Sequence, residues 1–167
     1  MTPVQIRTAT EADVPALAAL YAAAARAAGP AVYTPEQVET WATFAETRAF
    51  RQWVVDAHTL VAEADDGRPI GFSGLAEDGH VTALYIHPDR MRQGVGSALL
   101  RAVLARAEAQ GLERLYVETN PFSRPLFERF GFRLVEVETV TRGTVTFERT
   151  VLERLPPFTD PPAADTD

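Results

Sequence analysis

Ala83-Leu84-Tyr85-Ile86-His87-Pro88-Asp89-Arg90-Met91-Arg92-Gln93-Gly94-Val95-Gly96-Ser97-Ala98-Leu99-Leu100 is the stretch that decides the fold. A strand closes at Pro88, a polar loop follows, and two glycines lead into a helix. The first N–H groups of a helix lack intrahelical partners and sit at the positive end of its dipole, so they suit a pyrophosphate. Glycine lets such oxygens approach the backbone with no Cβ in the way. Each charge-assisted amide bond is worth about 1.5–3 kcal/mol, and Arg92 adds a side-chain contact to phosphate. A plainer reading stands beside this one: Gly94 and Gly96 only let a helix pack on a strand. A dinucleotide Rossmann site is disfavoured, because Leu99 replaces the third glycine and no β-α-β unit opens the chain.

Outward from the loop, element types alternate. Toward the N-terminus lie a strand at Val4–Ala9 and an Ala-rich helix begun by Thr10 and Asp13 and stopped at Gly29-Pro30. Pro35 opens a second helical region, with a break near Thr47, that runs to about Asp56. Three short strands follow, Thr59–Ala64, Ile70–Ala76 and His80–His87, separated by Asp66-Gly67 and Asp78-Gly79. Asp-Gly pairs favour tight hairpins, so these strands form an antiparallel meander. Beyond the loop come a helix from Gly94 to Gln110 capped by Gly111, a strand at Leu115–Thr119, a short helix at Phe122–Phe130, and a hairpin turning at Arg142-Gly143. The fold class is α/β with a mixed sheet.

Composition removes several chemistries. The 167 residues include no Cys and no Lys; all 16 basic residues are Arg, set against 23 acids, for a net charge of −7. There is no disulfide framework, thiol nucleophile or Cys-based metal site, and no Schiff-base lysine or Walker-A lysine. No metal site is expected. The length suits one domain, burying roughly 70% of its unfolded surface. The acidic balance argues against nucleic acid. No apolar run is long enough for a bilayer, and MTPVQIRTATEADV lacks the regions of a signal peptide, so the expected location is cytoplasmic, with no membrane partner. From Pro156 the chain reads PPFTDPPAADTD; the expectation is one domain over residues 1–155 and a disordered tail over 156–167.

The loop resembles that of the GNAT superfamily of N-acetyltransferases. The family pattern is a strand with L-x-V before a proline, then [Q/R]-x-x-G-x-[G/A] entering a helix. Leu84-Tyr85-Ile86 fills the strand part, and Arg92-Gln93-Gly94-Val95-Gly96-Ser97 most of the loop, with Met91 where Gln or Arg is usual. A second block agrees: Val117-Glu118-Thr119-Asn120 leads into Ser123-Arg124-Pro125-Leu126-Phe127-Glu128-Arg129-Phe130-Gly131-Phe132, like the family's Asn, short helix and Gly-Phe. The resemblance implies a mostly antiparallel central sheet with helices on both faces, whose strands at His80–His87 and Leu115–Thr119 splay apart. It implies acetyl-CoA as co-substrate. Main-chain groups of Leu84, Tyr85 and Ile86 would meet the pantetheine arm and thioester, Met91 to Ser97 the pyrophosphate, and Asn120 the arm again.

An amine of pKa about 10.4 must lose a proton before it attacks a thioester. A positioned base contributes roughly 10²–10⁴ in rate. Several family members use a Glu six residues before the position of Ile86; here that residue is His80, whose reference pKa of about 6.5 suits a neutral-pH base. His80 also directly follows Asp78-Gly79, so it reads equally as a strand-opening turn residue. At about 3.3 Å per residue Leu84 lies ~13 Å further along, and a relay water or a bulge would be needed. His58 and His87 read as structural. The family's general acid is a Tyr in the short helix, and Phe127 stands there, which cannot donate a proton; Tyr85 or water is the substitute.

The resemblance places the acceptor site between the first helices and the last hairpin. Tyr33, Trp41, Phe44, Trp53 and Phe147 are candidates for it or for core, and Glu36, Glu39 and Glu46 either attract a cationic amine or form a solvated helix face. The implied function is direct acetyl transfer from acetyl-CoA to a primary amine of a small molecule or peptide. The alternative is a non-catalytic acyl-CoA-binding or sensing module. A homodimer is left open.

Overall fold

The computed structural model describes residues 4–159. Its elements are β1 (Gln5–Thr8), α1 (Val14–Ala28), α2 (Pro35–Thr43), α3 (Arg48–Asp56), β2 (Leu60–Glu63), β3 (Pro69–Leu75), β4 (Val81–Ile86), α4 (Val95–Ala109), β5 (Leu115–Thr119), α5 (Arg124–Arg129), β6 (Arg133–Arg142) and β7 (Val145–Arg154). The expected order holds, and the second helical region divides into α2 and α3 as expected. Local chemistry makes that break. Thr47 is extended, and its hydroxyl accepts from the Phe50 N–H at 3.1 Å, which starts a new helix. Thr34 starts α2 in the same way, with Pro35 in the first turn and Gln37 reaching back to the Thr34 N–H.

β1-β2-β3-β4 form one antiparallel sheet and β5-β7-β6 another. Between β4 and β5 the sheets join through a parallel bridge from His80 to Tyr116, where the Tyr116 N–H donates to Gly79 O at 3.1 Å. Gly79 has φ +94°, and a Cβ there would lie 2.0 Å from Arg114 O, so glycine is what permits the approach. Past the bridge β4 and β5 are not paired. One edge of β4 bonds to β3, with Leu84 opposite Ser73, Tyr85 opposite Phe72 and Ile86 opposite Gly71; the other edge is open. The expected central sheet with splayed strands is thus two antiparallel sheets meeting at one bridge.

Helices cover both faces of the four-stranded sheet. On one side α4 buries Val95, Leu99, Leu100, Val103, Leu104 and Ala107 in a core that includes Leu60, Ala62 and Ile70. On the other, Val61, Phe72 and Ala83 pack with Leu17 and Leu20 of α1 and Phe50 and Val54 of α3. The alternation Leu60, Val61, Ala62 across the two cores is the period-two pattern of a strand buried on both faces. Each large apolar side chain so buried contributes about 1.5–3 kcal/mol.

Part of the segment read as a free tail is packed. Phe158 is buried in the core beside α4, and its N–H donates to Glu108 Oε2 at 3.2 Å. Arg154, itself buried, donates to Phe130 O at 2.7 Å, to Pro157 O at 3.1 Å and to Thr159 O. One aromatic side chain within a Pro- and Asp-rich run is enough to hold residues 156–159 against the domain. The rest of the expected tail lies outside the described residues.

Candidate active site

The divergence of β4 and β5 opens two clefts. The first, of about 340 Å³, is lined by His80, Thr82 and Tyr85 along β4, by Glu118, Thr119 and Asn120 at β5, by rings from α1 to α3, and by the β6–β7 hairpin. The second, of about 300 Å³, runs under Leu84, Tyr85, Ile86, Pro88 and Met91, with Ala24, Ala27 and Ala28 of α1 on one side and Phe122, Ser123 and Leu126 on the other. Trp41, Tyr85 and Asn120 line both. The Trp41 indole N–H donates to the Tyr85 hydroxyl at 3.2 Å, and Trp41 stacks on Phe122, with ring centroids 6.2 Å apart and planes at 14°. Burial pushes the Tyr85 hydroxyl up, so it keeps its proton at neutral pH and can donate it.

His80 is placed in the first cleft as part of a network. Its Nε2 lies 2.5 Å from Glu118 Oε2. Its ring stacks on Tyr116, with centroids 4.7 Å apart and planes at 5°. Asp78 accepts from the His80 backbone N–H at 3.0 Å and from the Tyr116 hydroxyl at 2.7 Å. His80 lies beside the turn just before β4, as the turn reading expects, and it also lines the cleft. Burial pushes the Glu118 carboxyl up, but the hydrogen bond and charge of His80 outweigh this and hold it below the usual carboxylate range. Arg149 Nη2 stands 4.0 Å from Glu118 and its Nε bonds Glu138. Glu118 went unassigned in the sequence, since nothing in Val117-Glu118-Thr119 shows that the bridge sets it opposite His80.

The bulge considered for β4 is present. Gly74 pairs with Ala83 and Leu75 with Val81, so Thr82 is an extra residue on β4. Ser73, fully buried, donates to Ala83 O at 2.6 Å and so satisfies a carbonyl beside the irregularity.

The two glycines of the loop do different things. Gly94 has φ +81° and caps α4, with nothing within 4 Å of where a Cβ would stand and no side chain capping the helix. Arg92 is also left-handed, at φ +61°, and Met91 is exposed. Gly96 fits the packing reading instead: a Cβ there would lie 2.7 Å from Leu126 Cδ2 and 3.8 Å from Ile86 Cδ1. The Val95 side chain is in the core, leaving only its main chain for a ligand. Gln93 donates to Asp89 O at 3.3 Å. Ser97 follows in the first turn of α4. Asn120 Oδ1 accepts from the N–H groups of Phe122 and Ser123, both at 2.9 Å, which turns the chain from β5 into α5.

Residues 30–149 match the family model described as an acetyltransferase (GNAT) domain. The chain belongs to the GNAT acetyltransferase family. It is 29% identical over 140 residues to the uncharacterized N-acetyltransferase YafP of Escherichia coli (strain K12), an alignment that covers 84% of this chain and 88% of that one. Among solved structures, a GCN5-related N-acetyltransferase from Rhodopseudomonas palustris superposes with a TM-score of 0.87 at 28% identity, covering 93% of this chain and 97% of that one. PaiA N-acetyltransferase from Thermoplasma acidophilum, in complex with coenzyme A, shares the fold at a TM-score of 0.74 and 18% identity, covering 92% and 99%.

Against the GNAT pattern, Phe127 is fully buried, its ring 5.1 Å from that of Phe132, and it lines neither cleft. The acids of the α2 region are a solvated face: Glu36 and Glu46 are exposed, and Glu39 pairs with Arg26 at 3.1 Å. The candidate aromatics divide between two uses, because Tyr33, Trp41, Phe44, Trp53 and Phe147 all line the first cleft while Trp41, Phe44 and Trp53 also pack on the α1–α3 core. Neither His58 nor His87, read as structural, lines either cleft. The His58 carbonyl accepts from Arg106, and His87 Nδ1 accepts from the Asp89 N–H at 3.1 Å. Among the described residues no cluster could hold a metal ion, and no helix is long and apolar enough to cross a membrane.

Proposed function

We propose that this GNAT domain transfers an acetyl group from acetyl-CoA directly to a primary amine of a small molecule or peptide. The observation that carries the reading is the meeting of the two clefts at Tyr85, beneath the open edge of β4. One cleft ends at His80 and Glu118, the other toward the glycine loop. The residues present suit the co-substrate. Unpaired β4 amides and carbonyls from Leu84 to Ile86 can take the pantetheine amides as an added strand. The mainly apolar second cleft suits the arm, and the uncapped start of α4, with Gly94 and Arg92, suits the pyrophosphate. The coenzyme A bound to the PaiA relative supports the same use of this fold.

In the transfer, the amine nitrogen bonds to the acetyl carbonyl carbon and the carbon–sulfur bond breaks, with the electron pair leaving on the CoA sulfur. The nitrogen gives up its proton to the His80–Glu118 pair through water. With Nε2–H given to Glu118, His80 Nδ1 carries the lone pair that receives it. Phe127 has no proton to give, so the Tyr85 hydroxyl or water protonates the thiolate, whose pKa of about 8.5 by analogy with Cys already makes it a fair leaving group. With no cysteine, no acyl-cysteine intermediate can form, which makes a ternary complex the natural mechanism.

The burial of Phe127 favours one further reading, a non-catalytic acyl-CoA-binding or sensing module. Release of free thiol from acetyl-CoA across a panel of amines tests the choice. Amine-dependent release supports transfer. Binding by calorimetry with no release on any amine supports the binding module.

A further inference from the structure

We infer that the acceptor is an amine that also bears a carboxylate on an apolar, ring-sized body, the chemistry of a large apolar α-amino acid, and that Arg142 takes the carboxylate. The inference rests on the transfer reading above and names its substrate class.

The β6–β7 hairpin forms one wall of the first cleft. Its register sets Arg142 opposite Val145, Val140 opposite Phe147 and Glu138 opposite Arg149, so these six share one face; Glu148, opposite Thr139, also lines the cleft. Two guanidinium groups from that face line the cleft. Arg149 is engaged by Glu138 and faces Glu118. Arg142 has no carboxylate partner among the described residues; its guanidinium lies 5.6 Å from the Phe44 ring centroid, a contact that orients the group without neutralising it. Its charge is felt inside the cleft, where it opposes the upward push that burial gives the Tyr21 and Tyr85 hydroxyls.

Six rings line the same cleft, Tyr21, Tyr33, Trp41, Phe44, Trp53 and Phe147, beside polar groups that include His80, Glu118, Asn120 and Glu148. A cleft of about 340 Å³ with that many rings suits an apolar, ring-sized body. A planar guanidinium matches a carboxylate bidentately. A phosphate monoester, at about −1.5 to −2 charges, would need more cation than one unpaired Arg supplies.

The test uses acetyl-CoA with matched acceptors: phenylalanine, phenethylamine (the same body without the carboxylate), the phosphonate analogue of phenylalanine, spermidine and a lysine-containing peptide. It compares the wild-type chain with Arg142→Gln and Arg142→Lys. In the wild type, kcat/KM for phenylalanine is expected to exceed that for phenethylamine by about tenfold or more. Arg142→Gln is expected to lower the phenylalanine value about 10- to 100-fold more than the phenethylamine value, and Arg142→Lys to keep part of the preference. An unchanged Kd for CoA checks that the variants are folded. Equal use of phenylalanine and phenethylamine, equal loss on both with Arg142→Gln, or preference for the phosphonate overturns the inference. Good turnover of spermidine or the peptide with no carboxylate advantage overturns it while transfer stands. No acetylation of any amine overturns the transfer reading and this inference with it.

Discussion

His80 and Glu118 face each other at 2.5 Å across the point where the two sheets touch. The bridge that brings them together is made by the backbone of Gly79 and Tyr116, and the Tyr116 ring holds the imidazole flat against it. In the proposed transfer, the carboxylate sets which imidazole nitrogen carries the proton and stabilises the imidazolium formed when the amine is deprotonated. Glu118→Gln keeps the shape and removes the charge. It is expected to lower kcat about 10- to 100-fold with CoA affinity unchanged. Because the Glu118 carboxyl lies below its usual range, it is ionised throughout neutral pH. The wild-type profile above pH ~5 is therefore expected to show no limb from this group.

Gly94 and Gly96 are separable by measurement. Gly94→Ala adds a Cβ into open space at φ +81°, a strain of about 1–2 kcal/mol. That Cβ also lies where an anion would approach the backbone, so calorimetry is expected to show CoA binding weakened about tenfold or more. Gly96→Ala instead pushes on Leu126 and is expected to lower Tm with a smaller effect on CoA. Combining it with Leu126→Ala is expected to cost less than the sum of the two changes.

Restoring the family's tyrosine is not expected to restore an acid. Phe127→Tyr puts a hydroxyl into a fully buried position beside Phe132, at a cost of about 1–3 kcal/mol if it finds no partner. Thermal unfolding should show the lower Tm, and kcat should not rise. A higher kcat would mean that position 127 reaches the reacting sulfur.

Acid stability reports on the first turn of the chain. Arg7 bonds Asp13 at 2.8 Å and Glu63 at 2.7 Å, which ties the start of α1 to the β1–β2 pair. The Arg7 hydrogen bond holds the Asp13 carboxyl at about 2, below the ordinary 3.8. A depressed folded-state pKa gives stability that is fully present above about pH 4 and lost as the pH falls through about 2. The contribution is about 1–2 kcal/mol, or about 3–6 °C in Tm. Asp13→Asn should show that deficit at pH 6 and little of it near pH 2.

The element order was legible because its punctuation is local. Thr10 with Asp13, Pro35, the Asp-Gly turns and Gly111 each act within a few residues, and each sits where the sequence placed it. The GNAT loop was legible for the same reason. What was not legible depends on contacts distant in sequence. Glu118 meets His80 across 38 positions of chain, Phe158 inserts beside Glu108 across 50, and Arg142 reaches Phe44 from the far hairpin. For the acids near α2 the sequence left a cationic acceptor and a solvated face open; the fold turns those acids to solvent and sets Arg142, without a carboxylate partner among the described residues, at the cleft.

The role of His80 bears the most weight. Steady-state turnover of His80→Ala, with an amine that the wild type acetylates and with CoA affinity measured on the same protein, tests it directly. A fall in kcat of more than about tenfold with an unchanged Kd for CoA is expected of a base that acts on the acceptor and not on the donor. Unchanged turnover would contradict it.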